Sequence, residues 1–286
     1  MKLLQRAVLV ATVVLGAALA APVGAGASNG LGGARYYLAL GDSLAFGYQP
    51  VDRTDAGHHG YVDQLFAAQQ ATYHDLSLVN LACPGETTTT MVSGGRCAIY
   101  PDGSQLQQAV NFLKAHRGHV AFATIDIGGN DIDGCATATG INATCIAAGF
   151  ASTETNLPAI MTALRAASPD TQWVGMNYYD PFLAAALQGP SGVALANQSV
   201  ALLVSYNAEL AQIYGGFGVP VADVATAFHS LDTTAVASPP APLPAGTPTN
   251  VVYICADTWM CALGDIHANA TGYGLIADAF AAELKR

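Results

Sequence analysis

Five short apolar, partly β-branched runs recur along this chain, at Tyr36–Leu40, Leu76–Leu81, Val120–Ile127, Gln172–Asn177 and Pro220–Val224, and stretches of helical spacing separate them. Alternation of that kind argues for βαβ units and a parallel sheet. Helices are expected near Tyr61–Gln70, Gln105–His116, Ile146–Ala167, Val193–Tyr214 and Gly272–Leu284; in the first, Val62, Leu65 and Phe66 fall on one face. Five strands with helices between them predict a flavodoxin-like three-layer α/β/α sandwich. Hydrophobic residues make up 52% of the chain, ample for the core of one large domain. Ser238–Pro248 holds five prolines and no periodicity, so it reads as a loop within that domain, not as a linker.

The amino terminus carries Lys2 and Arg6, an apolar stretch from Ala7 to Ala20, and the small-residue site Ala25-Gly26-Ala27. This pattern predicts a signal peptide over residues 1–27 and a secreted mature domain over 28–286. The apolar stretch is short for a bilayer and no longer one follows, so no permanent membrane anchor is expected. A net charge of −10, with only 10% of residues charged, argues against nucleic acid as a partner. A monomer is expected.

Six cysteines fall in three close pairs along the sequence, an even set suited to an oxidising compartment. Pairing in sequence order, Cys83–Cys97, Cys135–Cys145 and Cys255–Cys261, is the expected connectivity, because each bridge then staples one loop near a segment with chemistry. Zinc is the competing reading. It fails on spacing, since the chain has no CxxC, no HxxxH and no histidine adjacent to these cysteines.

Parallel strands end at the rim of a sheet, where loops converge on a ligand. The expected strand ends carry Gly41-Asp42-Ser43-Leu44, then Cys83-Pro84-Gly85-Glu86, then Gly128-Gly129-Asn130-Asp131, and Asp265-Ile266-His267 precedes the last helix. Each alone reads as turn or cap chemistry. Taken together and in this order they resemble the four blocks of the SGNH, or GDSL, hydrolase family, from Gly41 to about Tyr273.

That resemblance implies the fold already argued and a serine ester hydrolase, an esterase, lipase or phospholipase, needing no cofactor and no metal. Ser43 would be the nucleophile and His267 the general base, since an imidazole with a pKa of about 6.5 is mostly neutral near pH 7. The oxyanion hole would comprise the backbone N–H groups of Ser43 and Gly85 and the side-chain amide of Asn130. Many family members place an aspartate three residues before the histidine; here that position is Gly264 and the acid is Asp265, two residues before it. Either Asp265 or a backbone carbonyl near Gly264 or Asp265 then accepts the Nδ1 proton. Trp259 and Met260 are candidates for an acyl pocket or for core packing. His58 and His59 are surface residues or border the site.

Other readings are weighed on the same residues. An α/β-hydrolase needs a GxSxG elbow, which none of these four blocks provides. A carbohydrate O-acetyl esterase fits the same four blocks. A secreted binding protein that has lost catalysis fits them less well, because none of the four is broken.

Overall fold

A computed structural model describes residues 35–51, 60–137 and 140–285. The expected leader and His58 and His59 lie outside the described residues. The main sheet is parallel throughout and built from β1 (Arg35–Gly41), β2 (Leu76–Asn80), β3 (Val120–Asp126), β4 (Gln172–Met176) and β5 (Val221–Ala222). Its strand order is β2-β1-β3-β4-β5, so β1 and β3 sit in the interior and the order reverses at β1. The fifth strand is shorter than expected because Asp223 caps a helical turn from Val224, its carboxylate accepting from Thr226 N.

Alternation along the strands divides the core into two faces. Tyr37 and Ala39 of β1, Phe122 of β3 and Val174 and Met176 of β4 join one buried cluster, covered by α2 (Tyr61–Gln69) and α11 (Ala270–Glu283). Leu38 and Leu40, Ala123 and Ile125, and Trp173 face the other way, under α4 (Gln105–Ala115), α6 (Ala143–Ala167) and α7 (Pro190–Gly216). This is the three-layer sandwich expected from the sequence. The proline-rich loop is pinned at its base, where Ala235–Val236 pairs antiparallel with Thr247–Pro248.

All three bridges follow the sequential pairing: Cys83–Cys97, Cys135–Cys145 and Cys255–Cys261. Each closes a loop at the carboxyl edge of the sheet. The first joins the turn after β2 to the segment beyond α3 (Thr88–Ser93). Next, Cys135–Cys145 ties the segment after β3 to the first turn of α6. The last fastens α9 (Thr249–Asp257) to α10 (Met260–Leu263), just ahead of Asp265.

Candidate active site

Ser43 opens α1 (Ser43–Phe46), immediately after β1. Asp42 is its N-cap, with Oδ1 accepting from Leu44 N at 2.9 Å, so the serine hydroxyl is held at the helix start above the sheet. Gly41 makes this corner possible. Its φ is +144°, and a Cβ there would run into the Asp126 carboxyl and carbonyl. Asp126, at the end of β3, accepts from Ala45 N at 3.1 Å and from the Tyr61 hydroxyl at 3.0 Å. Burial raises the pKa of both Asp42 and Asp126; the charge of Asp42 adds to it at Asp126, and the charges of Asp131 and Glu86 add to it at Asp42.

The last helix arrives beside this corner. Asn269 caps α11, accepting from Thr271 N and Gly272 N, and thereby fixes the segment that carries His267. Tyr179 donates to the Ile266 carbonyl at 2.7 Å, and Trp259 N donates to the His267 carbonyl at 2.9 Å. With the backbone held on both sides, the imidazole spans two partners: Nε2 lies 2.8 Å from Ser43 Oγ and Nδ1 lies 2.7 Å from Asp265 Oδ1. The acceptor at Nδ1 is therefore the Asp265 carboxylate, which resolves the choice that the sequence left open. The same Oδ1 also accepts from the His267 backbone N–H at 3.0 Å.

A carboxylate can only accept, so Nδ1 carries the proton and Nε2 is left to accept from the serine. Burial holds the His267 pKa below its ordinary value, although Asp265 pulls the other way. The ring is neutral near pH 7 and free to take a proton. Tyr48 lies against it, with ring centroids 4.5 Å apart.

Asn130 sits in α5 (Gly129–Ile132) at the carboxyl end of β3 and donates one amide N–H to the Glu86 carbonyl at 3.0 Å. That bond fixes the amide plane and leaves its second N–H. Gly85 occupies a β-turn closed by Glu86 N to Cys83 O at 3.0 Å, with Pro84 before it and φ at +77°. A residue with positive φ after Pro is the type II pattern, which favours glycine. Cys83 N in turn donates to Gly41 O at 3.1 Å, so the turn is strapped to the strand that delivers Ser43. Neither the Ser43 nor the Gly85 backbone N–H donates to a described group. Asp131 lies outside this chemistry: its carboxylate accepts from Thr88 N and Thr88 Oγ1, both at 2.8 Å, and holds the start of α3.

A cavity of about 80 Å³ opens from Ser43, Asn130 and His267 toward the β4 side. Its inner wall is apolar, made by Ile132, Ile141, Phe182, Leu202 and Leu203. Its few polar groups suit the apolar part of a small organic ligand. Asp133 stands in this wall, and burial, with Asp42 and Asp180 nearby, pushes its carboxyl up to about 7. Gly85 is not part of the cavity lining; its turn follows β2, the strand on the flank of β1 away from β3.

Trp259 and Met260 are not acyl-pocket residues. The Trp259 indole donates to Gln49 Oε1 at 2.7 Å, and Met260 packs on the core. Sequence reasoning missed Tyr178, Tyr179 and Phe182, although the rule used for the other blocks, polar and aromatic residues beyond the carboxyl end of a strand, applies to them as well. Among the described residues no group of acidic, histidine or cysteine side chains is arranged to hold a metal ion, and no helix is long and apolar enough to cross a membrane.

Solved structures with the same fold include an extracellular lipase from Streptomyces rimosus, at 20% identity and a TM-score of 0.54, covering 88% of this chain and 100% of that one. A phospholipase A1 from Streptomyces albidoflavus NA297 matches at 19% identity and a TM-score of 0.52, with 88% and 100% covered. An acetylxylan esterase from Geobacillus stearothermophilus matches at 16% identity and a TM-score of 0.55, with 87% and 93% covered. No curated protein sequence matches the chain. The profile of the GDSL-like lipase/acylhydrolase family matches residues 39–275, a span that contains every block described above. The chain belongs to that family and is an ester hydrolase.

Proposed function

We propose that the protein is a secreted carboxyl-ester hydrolase acting on esters with an apolar acyl chain, with Ser43 as nucleophile, His267 as general base and Asp265 as the group that orients the base. The observation that carries this reading is the continuous relay from Asp265 through His267 to Ser43 at the mouth of an apolar cavity. Ser43 Oγ attacks the ester carbonyl as His267 Nε2 takes its proton, and Asp265 stabilises the imidazolium that forms. Negative charge then grows on the carbonyl oxygen. The Ser43 and Gly85 backbone N–H groups and the remaining Asn130 N–H are the donors that receive it. The imidazolium returns the proton to the leaving alcohol, and water repeats the sequence on the acyl-enzyme.

The apolar wall of the cavity favours an alkyl acyl chain over an O-acetylated carbohydrate. Three disulfides and the amino-terminal leader pattern support secretion. The test is an activity profile on p-nitrophenyl esters from acetate to laurate and on acetylated xylan, for wild type and Ser43→Ala. Highest kcat/KM on a chain longer than acetate, lost in Ser43→Ala, is expected. Activity confined to acetylated xylan, or wild-type turnover by Ser43→Ala, would refute the reading.

A further inference from the structure

We propose that Arg96 binds an anionic group, a phosphate above all, on the alcohol side of the ester; this deepens the hydrolase reading and rests on it. Arg96 lies in the loop closed by Cys83–Cys97, and its Nε donates to Pro84 O at 3.0 Å. The guanidinium then lies flat over Gly85, so closely that a Cβ at Gly85 would collide with Nη2, Cζ and Nε. Arg96 is exposed, neither Nη donates to a described residue, and no described carboxylate forms an ion pair with it. Glu86 is the nearest acid to feel its charge, but that carboxyl is buried and held by Gln105.

The distribution of the other cations sharpens the point. Among the described residues Arg35 begins β1, Lys114 and Arg117 lie where α4 leads into β3, and Arg165 bonds Thr171 O and Phe217 O ahead of β4 and β5. Lys285 follows α11, whose Glu283 carbonyl accepts from Gln172 at the start of β4. All five therefore stand at the amino edge of the sheet. Among the described residues Arg96 alone of the cations stands at the carboxyl edge, where Asp131, Asp180 and Asp265 otherwise set the sign of the field. An anionic substrate would be repelled there without it.

Sheet order fixes the direction. Ser43 leaves β1, the cavity opens over β3 and β4 on one side, and Arg96 stands over β2 on the other. An ester lying across Ser43 with its acyl chain in the cavity carries its alcohol toward Arg96. The planar fork of a guanidinium matches phosphate oxygens in pairs, which a single hydroxyl cannot exploit. The substrate class is an acyl glycerol bearing phosphate.

The test compares kcat/KM for dihexanoyl phosphatidic acid with that for dihexanoylglycerol, which differ in the phosphate alone, and uses p-nitrophenyl hexanoate as a control ester. In Arg96→Gln the ratio of the first two falls by about tenfold or more, chiefly through the KM of the phosphate ester. Arg96→Lys restores part of it. A ratio unchanged in Arg96→Gln overturns the proposal, including the case in which both substrates lose equally, because Arg96 would then only position the Gly85 turn. A wild type that turns over p-nitrophenyl hexanoate but does not prefer the phosphate ester overturns it alone; one that turns over none of the three takes the hydrolase reading with it.

Discussion

Replacing Asp265 with asparagine removes a charge from beside the candidate base and leaves its hydrogen bonds nearly in place. In the structure Oδ1 accepts at once from His267 Nδ1 and from the His267 backbone N–H, at 2.7 and 3.0 Å. A backbone N–H cannot become an acceptor, so it selects the oxygen of an asparagine over its amide nitrogen. The imidazole therefore keeps its tautomer, and what is lost is the attraction between carboxylate and imidazolium. Two unit charges about 4 Å apart gain about 1 kcal/mol in water and about 4 kcal/mol at the effective dielectric near a protein surface. Asp265 is 26% exposed, so an intermediate value of about 2 kcal/mol applies, or about 30-fold in kcat. The assay is kcat and kcat/KM on p-nitrophenyl hexanoate over a pH series. KM should change little. Because Asp265 raises the His267 pKa, its loss should also move the acid limb of the profile to lower pH. A loss of about 10⁴-fold, the size seen when a triad histidine is held in the wrong tautomer, would refute the argument that the backbone N–H fixes the asparagine. No loss at all would refute the role of the charge.

Asn130→Ala removes the side-chain amide that faces the cavity mouth and should lower kcat by about 10²–10³-fold with the fold intact by circular dichroism; a loss under tenfold would take Asn130 out of the oxyanion hole. Ionisation of Asp133 as pH rises through about 7 puts a charge into an apolar wall, so KM for a hexanoyl ester should rise by up to about tenfold above that pH. Asp133→Asn should flatten the rise, and a wild-type KM independent of pH across neutrality would refute it. Gly41→Ala forces the Asp126 carboxyl off Ala45 N and Tyr61 and strains a positive φ, which should cost about 3 kcal/mol or more in urea unfolding. An unchanged midpoint would show that the corner tolerates a side chain.

The parts of this molecule that a sequence reveals are those governed by local rules. Strand periodicity placed all five strands, whereas Ser43, Gly85 and Asn130 were singled out by the resemblance of their blocks to the SGNH family. Cysteine spacing anticipated all three bridges. The apolar cavity was invisible for a different reason: Ile141, Phe182 and Leu202 come from three separate segments, and only packing brings them into one wall. Trp259 stayed open between pocket and packing because eight positions from His267 in sequence says nothing about direction; its indole turns to Gln49. The acceptor for His267 was ambiguous because two residues of separation allow either a carboxylate or a carbonyl to reach Nδ1, and the backbone conformation decides.

The placement of Ser43 on a central strand has a practical corollary for altering this enzyme. Whatever grips the fatty half of a substrate is assembled by segments following β3 and β4 and by α7, whereas the neighbourhood of Arg96 is assembled by the single loop following β2. These two neighbourhoods share no lining residue, but they are bonded to each other: Asn130 donates to the Glu86 carbonyl, and the Asp131 carboxylate holds Thr88. Chain-length selectivity and headgroup selectivity can be remodelled on separate stretches of the gene, but changes beside the Asn130–Glu86 and Asp131–Thr88 bonds should couple, and only changes farther out on each flank should combine almost additively.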